Sequence, residues 1–554
     1  SVIQSVVRRN PNENYDYYGR AGGYTRTKDD FIHLPLYEHL IRNGVEDKWV
    51  SSKYSKGVHT ERDSVQKWVN EATEDQLTVD PCYLSYAVKD YFQKFTDGEK
   101  LRPLSRAQIL EGDSLYGINS MDLSTSAGEA LSGDGDNWST IKRSMGEERD
   151  GRFYFHTWVW DSYKELKESF LAKGKCPEVT VKLGKKMEVR LKGKDQRNFQ
   201  IFNMLIIMVM REYLGQLFGE MMLNPEKSET RAKMNPYGYD WDTFIRWLKD
   251  YDNSHVCCID YSGFDKRIPS DVFRAVNRGI MYVSRKRGMS EDSLRIMSGL
   301  FSYIANPVIN IDGDLLRVHG VMMSGMYGTS QFDGMITSLL LRTYAYKYYN
   351  SPIRYERDLD SISPPFDFRE NIRLATVGDD AVFTRKWWSR GVDAKGYAEF
   401  VNDLNMKITN TDKTGLPDPS VPWNDFSFCS RTNTIDEMNG NRNMSRLEKD
   451  RIHRMSMAAI KSKVIDVETQ QLLNLDTSLM EMSRYPKDEF DEWVSIIKTA
   501  PDDYWSKLRY AEYSQQNLRL VAVESGYEYT DDVVNYIQQS APQDGVGYEK
   551  DSIL

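Results

Sequence analysis

Residues 375–383 read ATVGDDAVF, two adjacent carboxylates, Asp379 and Asp380, set in a run of strand-forming apolar residues. Charges in such surroundings are costly to bury unless a cation meets them. The glycine just before the pair predicts a tight turn between two short strands, pinched at Gly378, that lifts Asp379 clear of the sheet. The fold reading follows from what else reaches that turn.

A second carboxylate pair lies upstream. HVCCID (255–260) reads as a buried strand ending in Asp260, and Asp265 follows five residues later in DYSGFDKRIP. If Asp260 and Asp379 sit on neighbouring strands, two or three carboxylates converge at one sheet edge and need counter-charge. Hard oxygen ligands of this kind suit two Mg²⁺ or Mn²⁺ ions, which can activate a hydroxyl and stabilise a leaving phosphate. Taken singly, an Asp-x4-Asp pair is usually a surface feature and a GDD turn is usually only a turn.

Around these stretches the pattern alternates. SVQKWVNEA (64–72) reads as a short helix, 199–222 as a helical stretch, and SDVFRAVNRGIMYVSRKRG (270–288) as a Ser-capped helix. VINIDGDLLRVHG (308–320) reads as a hairpin turning at Asp312-Gly313, followed by a glycine-broken loop and a long helix. The aromatic and Met positions of 330–349 fall at helical spacing, which predicts core packing. Beyond 432 the pattern is almost wholly helical (446–462, 466–483, 487–497, 503–514). Strands and helices interleaved in 250–430, then helices alone, predict an α+β centre with a helical C-terminal part.

Bulk properties exclude several classes. A chain of 554 residues is long for one core. Its 40% hydrophobic and 28% charged residues are ordinary globular composition. The five cysteines show no CxxC pair or His-spaced zinc pattern, which fits a reducing compartment. The longest apolar run, IFNMLIIMVM (201–210), falls short of the roughly 20 residues a membrane span requires. DGDN (134–137) hints at calcium but lacks EF-hand spacing, so a surface turn is the reading. His255 reads as structural. The expectation is a soluble intracellular protein with no membrane partner.

Net charge is −9, yet Lys182–Arg197 carries seven basic against two acidic residues, a local +5. A cationic stripe on an acidic protein suggests a channel for an anion.

In sequence order these motifs resemble those of viral RNA-dependent RNA polymerases. Asp260–Asp265 resembles motif A, SGMYGTSQFD (324–333) motif B and Gly378-Asp379-Asp380 motif C, at separations of 64 and 55 residues. MKITNTDKTG (406–415) is similar to motif D, FCSR (428–431) to motif E, KGKDQR (192–197) to motif F and STSAG (124–128) to motif G, with Ala130 where the family commonly has proline. The likeness spans about 124–431. Asp333, where most positive-strand enzymes have Asn, resembles the partitivirus and picobirnavirus branch, whose genomes are double-stranded RNA.

The resemblance implies a right hand of fingers, palm and thumb: an N-terminal extension (1–100) bridging toward the thumb, fingers from 100–253 and 271–305, an antiparallel palm from 254–270 and 306–431, and a thumb with its tail from 432–554. It implies template-directed RNA synthesis from nucleoside triphosphates, with RNA template, nascent RNA and possible viral capsid protein as partners, in the host cytoplasm and within the virion. Asp260, Asp379, Asp380 and the carbonyl of Tyr261 would hold metal, and Lys413 would be the general acid. Asp265, Ser324, Thr329 and Asp333 would test the ribose, Asp333 as an acceptor only. Arg197, Lys194 and Arg190 would meet the nucleotide, Arg197 over its base. Lys185, Lys186, Lys192, Ser126, Gly128, Gly325 and Arg431 would meet RNA, Gly325 through a strained or positive-φ backbone. The acidic stretch 541–554 would lie near the product channel. Two other readings share features: a reverse transcriptase, which usually has an aromatic before the Asp pair, and a non-enzymatic RNA-binding or capsid-associated protein.

Overall fold

The strands expected at the carboxylates form one antiparallel sheet. Ile372–Val377 pairs with Asp380–Arg385, which pairs with His255–Ile259, and Val421–Pro422 closes the far edge. Side-chain alternation gives the sheet two apolar faces. Leu374, Phe383, Cys257 and Ile259 join the main core, whereas Ala375, Val382 and Val256 pack with Trp241, Phe244 and Leu248 beneath the helix Tyr239–Lys249. The computed structural model describes residues 15–20, 28–57, 60–74, 77–129, 137–177, 180–319, 321–410 and 412–524. Ala130, most of the 134–137 turn and the 541–554 tail lie outside the described residues.

The main core is organised by the helix Thr329–Tyr348, in which every residue from Thr329 to Tyr346 is buried. Such a helix has no solvent face and serves as a central strut. It packs on Pro81–Phe92, on Ser270–Lys286 and on the strand Ile372–Val377. Arg342 on this helix bonds Asp90 at 2.8 Å and Glu229 at 2.7 Å, all three fully buried. The backbone carbonyl of Glu229 in turn accepts the backbone N–H of Thr376 at 2.7 Å, so the residue that anchors the ion cluster also braces the carboxylate hairpin.

A second sheet, in the order Tyr15–Arg20, Asp314–Val318, Val308–Ile311, Thr180–Lys185, Asn198–Ile201, carries the basic segment. The hairpin at Asp312-Gly313 is as expected. The 199–222 stretch resolves into a strand and then the helix Met204–Leu223, capped by Asn203. The helix expected at 270–288 spans Ser270–Lys286, but Ser270 is its first residue and Pro269, which has no side-chain cap bond, occupies the N-cap.

The C-terminal part departs from all-helical. Arg431–Asp436 and Arg442–Leu447 form a hairpin. The helix expected at 446–462 is only Lys449–Met457, because Ala458–Ile460 leaves it to pair with Phe31–His33. Residues 501–507 form 3₁₀ turns, and the last helix is Gln515–Glu524. The cause lies far off in sequence: the N-terminal segment supplies the partner strand. Its Trp49–Ser51 also pairs with Val189–Leu191 of the basic segment, so this segment joins both regions.

Candidate active site

Gly378 and Asp379 are the two-residue loop of the central hairpin, closed by the Val377–Asp380 pair. Gly378 has φ +59, a conformation open to glycine and costly for a residue with a Cβ. Ser330, in the first turn of the buried helix, accepts the Gly378 N–H through Oγ at 3.1 Å and holds the loop in place. Ile259 pairs with Ala381, so the next residue, Asp260, emerges beside the turn.

Asp260, Tyr261, Asp265, Ser324, Asp379 and Lys413 line one cavity of about 610 Å³. Arg190, Lys194 and Arg197 line the same cavity. The tertiary fold thus assembles nine sequence-predicted residues from five separate stretches. Asp380 turns toward the Phe428–Arg431 loop instead. Burial pushes the Cys429 thiol up, aided by the charge of Asp380 and a hydrogen bond to it. Cys429 and Ser430 both have positive φ, which forms this tight loop. The carboxylates supply hard oxygen donors of the kind Mg²⁺ takes; among the described residues no group of three or more His, Cys, Asp or Glu is gathered into a ready-made metal cluster.

Several expected residues are placed differently. Thr329 and Asp333 are fully buried behind the cavity. Thr329 Oγ1 donates to the carbonyls of Met326 (2.7 Å) and Ser324 (3.1 Å), so it shapes the loop and is not on the cavity lining. Asp333 lies behind Asp265, not on the cavity lining, and burial, then the neighbouring Asp265 charge, raises its carboxyl well above the usual carboxylate range. Gly325 does not have positive φ; its lack of a Cβ admits the Gln200 carbonyl, which would lie 1.7 Å from one. The positive-φ glycine of the loop is Gly328, at +74.

The cations also sort by partner. Arg197 forms a two-pronged bond with Glu188, at 2.8 and 2.6 Å, which orients its plane. Burial raises Glu188, but the Arg197 charge and hydrogen bonds outweigh it and bring the carboxyl down to about 2. Lys185, expected on RNA, is buried and paired with Asp312 at 3.1 Å inside the second sheet. Arg431, also expected on RNA, is buried among Glu481, Ser445 and Tyr237. Both are occupied by internal carboxylates that a local charge pattern does not reveal. Lys186 lies on the strand Thr180–Lys185's outgoing turn, its backbone N–H bonded to Arg197 O. Lys192 is on the surface, bonded to Asp47. Ser126 is exposed, and Gly128, φ +74, closes against the Phe202 carbonyl, away from the cavity lining.

Sequence reasoning missed other parts. Gln200 Oε1 accepts both the N–H (2.8 Å) and the Oγ–H (2.9 Å) of Ser324, joining the loop to the strand Asn198–Ile201 that follows the basic segment. Lys56, Lys67, Arg451 and Arg454 add cations to the cavity from the N- and C-terminal regions. Arg454 lies 5.4 Å from the Trp49 ring centroid. No motif spacing marks them. Glu188 was visible as one of two acids in the basic run, nine residues from Arg197.

A family model described as viral RNA-dependent RNA polymerase matches residues 26–499. The genome polyprotein of poliovirus type 3 is 25% identical over 411 residues, 73% of this chain and 16% of the polyprotein. That of human rhinovirus 3 is 26% identical over 222 residues, 40% of this chain and 9% of the polyprotein. The chain therefore spans a small part of the relatives it matches. The structure of a sicinivirus 3Dpol RNA dependent RNA polymerase superposes with a TM-score of 0.68 at 16% identity, covering 95% of this chain and 99% of that one, which establishes the right-hand fold. Matched over most of its length, the chain belongs to the viral RNA-dependent RNA polymerase family.

Proposed function

We propose that this chain carries out template-directed RNA synthesis by nucleotidyl transfer. One observation carries the reading: Asp260 and Asp379 line one cavity together with the cations Arg190, Lys194 and Arg197. The 3′-oxygen of the growing strand would bond to the α-phosphorus of a nucleoside triphosphate, the bond to the bridging oxygen would break, and pyrophosphate would leave.

Arg190, Lys194 and Arg197 are suited to hold the triphosphate, and the Glu188 clamp keeps the Arg197 plane oriented. Lys413, on the cavity wall, is suited to give its proton to the departing pyrophosphate. Asp265 faces the sugar position and accepts a hydroxyl proton there. Asp260, Asp379 and the Tyr261 carbonyl would hold two divalent ions (Mg²⁺ or Mn²⁺), with Asp380, turned toward Cys429, as the neighbouring carboxylate; when bound, the ions would make the attacking hydroxyl more acidic and neutralise the phosphates.

The boundaries assigned to fingers (100–253, 271–305), palm (254–270, 306–431), thumb (432–554) and N-terminal extension (1–100) belong to this proposal. The pairing of Phe31–His33 and Trp49–Ser51 with the C-terminal and basic segments supports an extension that bridges. The double-stranded RNA branch rested on Asp333 alone; the matching relatives are picornaviral and favour that neighbourhood. Action inside a host cell, in the cytoplasm or the virion, and contact with capsid protein are carried over from the resemblance. No helix among the described residues is long and apolar enough to cross a membrane.

Primer extension on an RNA template with Asp379→Asn is the test. Synthesis abolished with RNA binding retained is the expected result, and full activity would sink the reading. Ribonucleotide use in preference to deoxyribonucleotide separates it from a reverse transcriptase.

A further inference from the structure

Asp265, on the cavity wall, and Asp333, buried behind it, come within hydrogen-bonding reach of each other. Both oxygens of Asp333 and Oδ1 of Asp265 are buried and take no hydrogen bond from an N–H or O–H donor among the described residues. Their neighbours offer little spare charge. Lys266 is paired with Glu71 at 2.7 Å, and Arg197 with Glu188 at 2.6 Å. Tyr261 feels the charges of Asp379 and Asp333, but its hydroxyl is already engaged by Thr337 and Tyr397. Two ionised carboxylates cannot be kept in such contact without compensation.

We propose that Asp265 and Asp333 hold one proton between them, and that Asp333, acting through Asp265, is a proton-dependent positioning residue for sugar selection. With the proton on Asp333, its O–H donates to Asp265, and the other Asp265 oxygen is aimed into the cavity as an acceptor. A neutral carboxylic acid has one donor and one acceptor, the pattern of an amide side chain. An amide donates at every pH, whereas this acid donates only while protonated. Burial, as the largest effect, raises both groups. The pull of Lys266 on Asp265, and then of the Asp333 hydrogen bond and Arg197, leaves Asp333 as the proton's holder. The backbone assists, since the Met322 N–H bonds the Asp265 carbonyl at 2.8 Å and fixes the loop.

The proposal rests on the nucleotidyl-transfer reading for its substrate, but not for its proton. Because both folded values are raised, stability is full below the unfolded carboxylate range and is lost as pH rises through the folded values. Thermal melting of the full chain in chelator, without RNA or nucleotide, is compared for wild type and Asp333→Asn from about pH 5 to about pH 9. The wild type is expected to melt progressively lower across this range and the Asp333→Asn variant to be much flatter. The wild type should also show the infrared band of a protonated carboxyl at neutral pH, absent from Asp333→Asn. In nucleotide incorporation, the wild-type preference for ribose is expected to fall by up to about tenfold per pH unit above the pair's titration, while the pH dependence disappears in Asp333→Asn. Parallel melting profiles with no carboxyl band, or a wild-type sugar preference indifferent to pH, overturn the proposal. Wild type that incorporates no nucleotide yet shows the band and the melting difference overturns the polymerase reading and leaves the shared proton standing.

Discussion

Ser330 Oγ accepts the backbone N–H of Gly378 at 3.1 Å, which joins the first turn of the buried helix to the loop that carries Asp379. Ser330→Ala leaves that buried N–H without its acceptor, at a cost of about 1–3 kcal/mol. If part of that cost is displacement of Asp379, kcat should fall roughly tenfold with the nucleotide KM little changed. Steady-state incorporation together with a denaturant melt would check both halves.

Gly325 faces a backbone carbonyl, not open space. A Cβ there would sit 1.7 Å from Gln200 O, and backbone cannot swing aside as a side-chain end can. Gly325→Ala should therefore cost about 1–3 kcal/mol or more and displace the Ser324 loop, whereas Gly440→Ala, a surface turn with nothing within 4 Å, carries only its backbone strain. Comparing their melts under identical conditions separates close approach from turn strain.

Arg342 binds two buried carboxylates at once, Asp90 and Glu229. Arg342→Leu strands both, and breaking a buried pair costs about 3–5 kcal/mol. Since the backbone carbonyl of Glu229 also accepts the Thr376 N–H, the loss should loosen the carboxylate hairpin as well as the helix contact. Hydrogen exchange at Thr376 and Gly378, faster in the variant than in the wild type, is the expected signature.

Glu188 has its folded value depressed, to about 2, by Arg197 against the opposing effect of burial. Its stabilisation is therefore present above the unfolded carboxylate range and is lost as pH falls from about 4 toward about 2. Glu188→Gln should remove that acid-side loss, destabilise the chain at neutral pH by about 3 kcal/mol, and raise the nucleotide KM because Arg197 loses its orienting partner. An acid titration of stability in both proteins gives the sign directly.

Much of the site was legible because its chemistry is concentrated in short stretches. A carboxylate ending a strand, a glycine turn carrying another, and a helix-starting Ser-Gly loop each announce themselves locally, and all converge on one cavity. Lys185 and Arg431 show the opposite case. Each looked like a cation for RNA, and each is buried against a carboxylate, Asp312 and Glu481, that lies 127 and 50 residues away. The helix expected to run to 462 stops at Met457 for a similar reason: its next residues find a better partner in Phe31–His33.

By itself the sequence determined the carboxylate strands, the turn at Gly378, the buried helix and the cationic segment, because period, turn residues and charge act over a few neighbouring positions. Only the tertiary structure decided which cations remain for a substrate, that Asp333 stands behind Asp265, and that Ser330 and Gln200 hold the loops. Those outcomes depend on desolvation and on pairing between side chains brought together from distant parts of the chain, and burial can reverse the protonation state that a residue's type suggests.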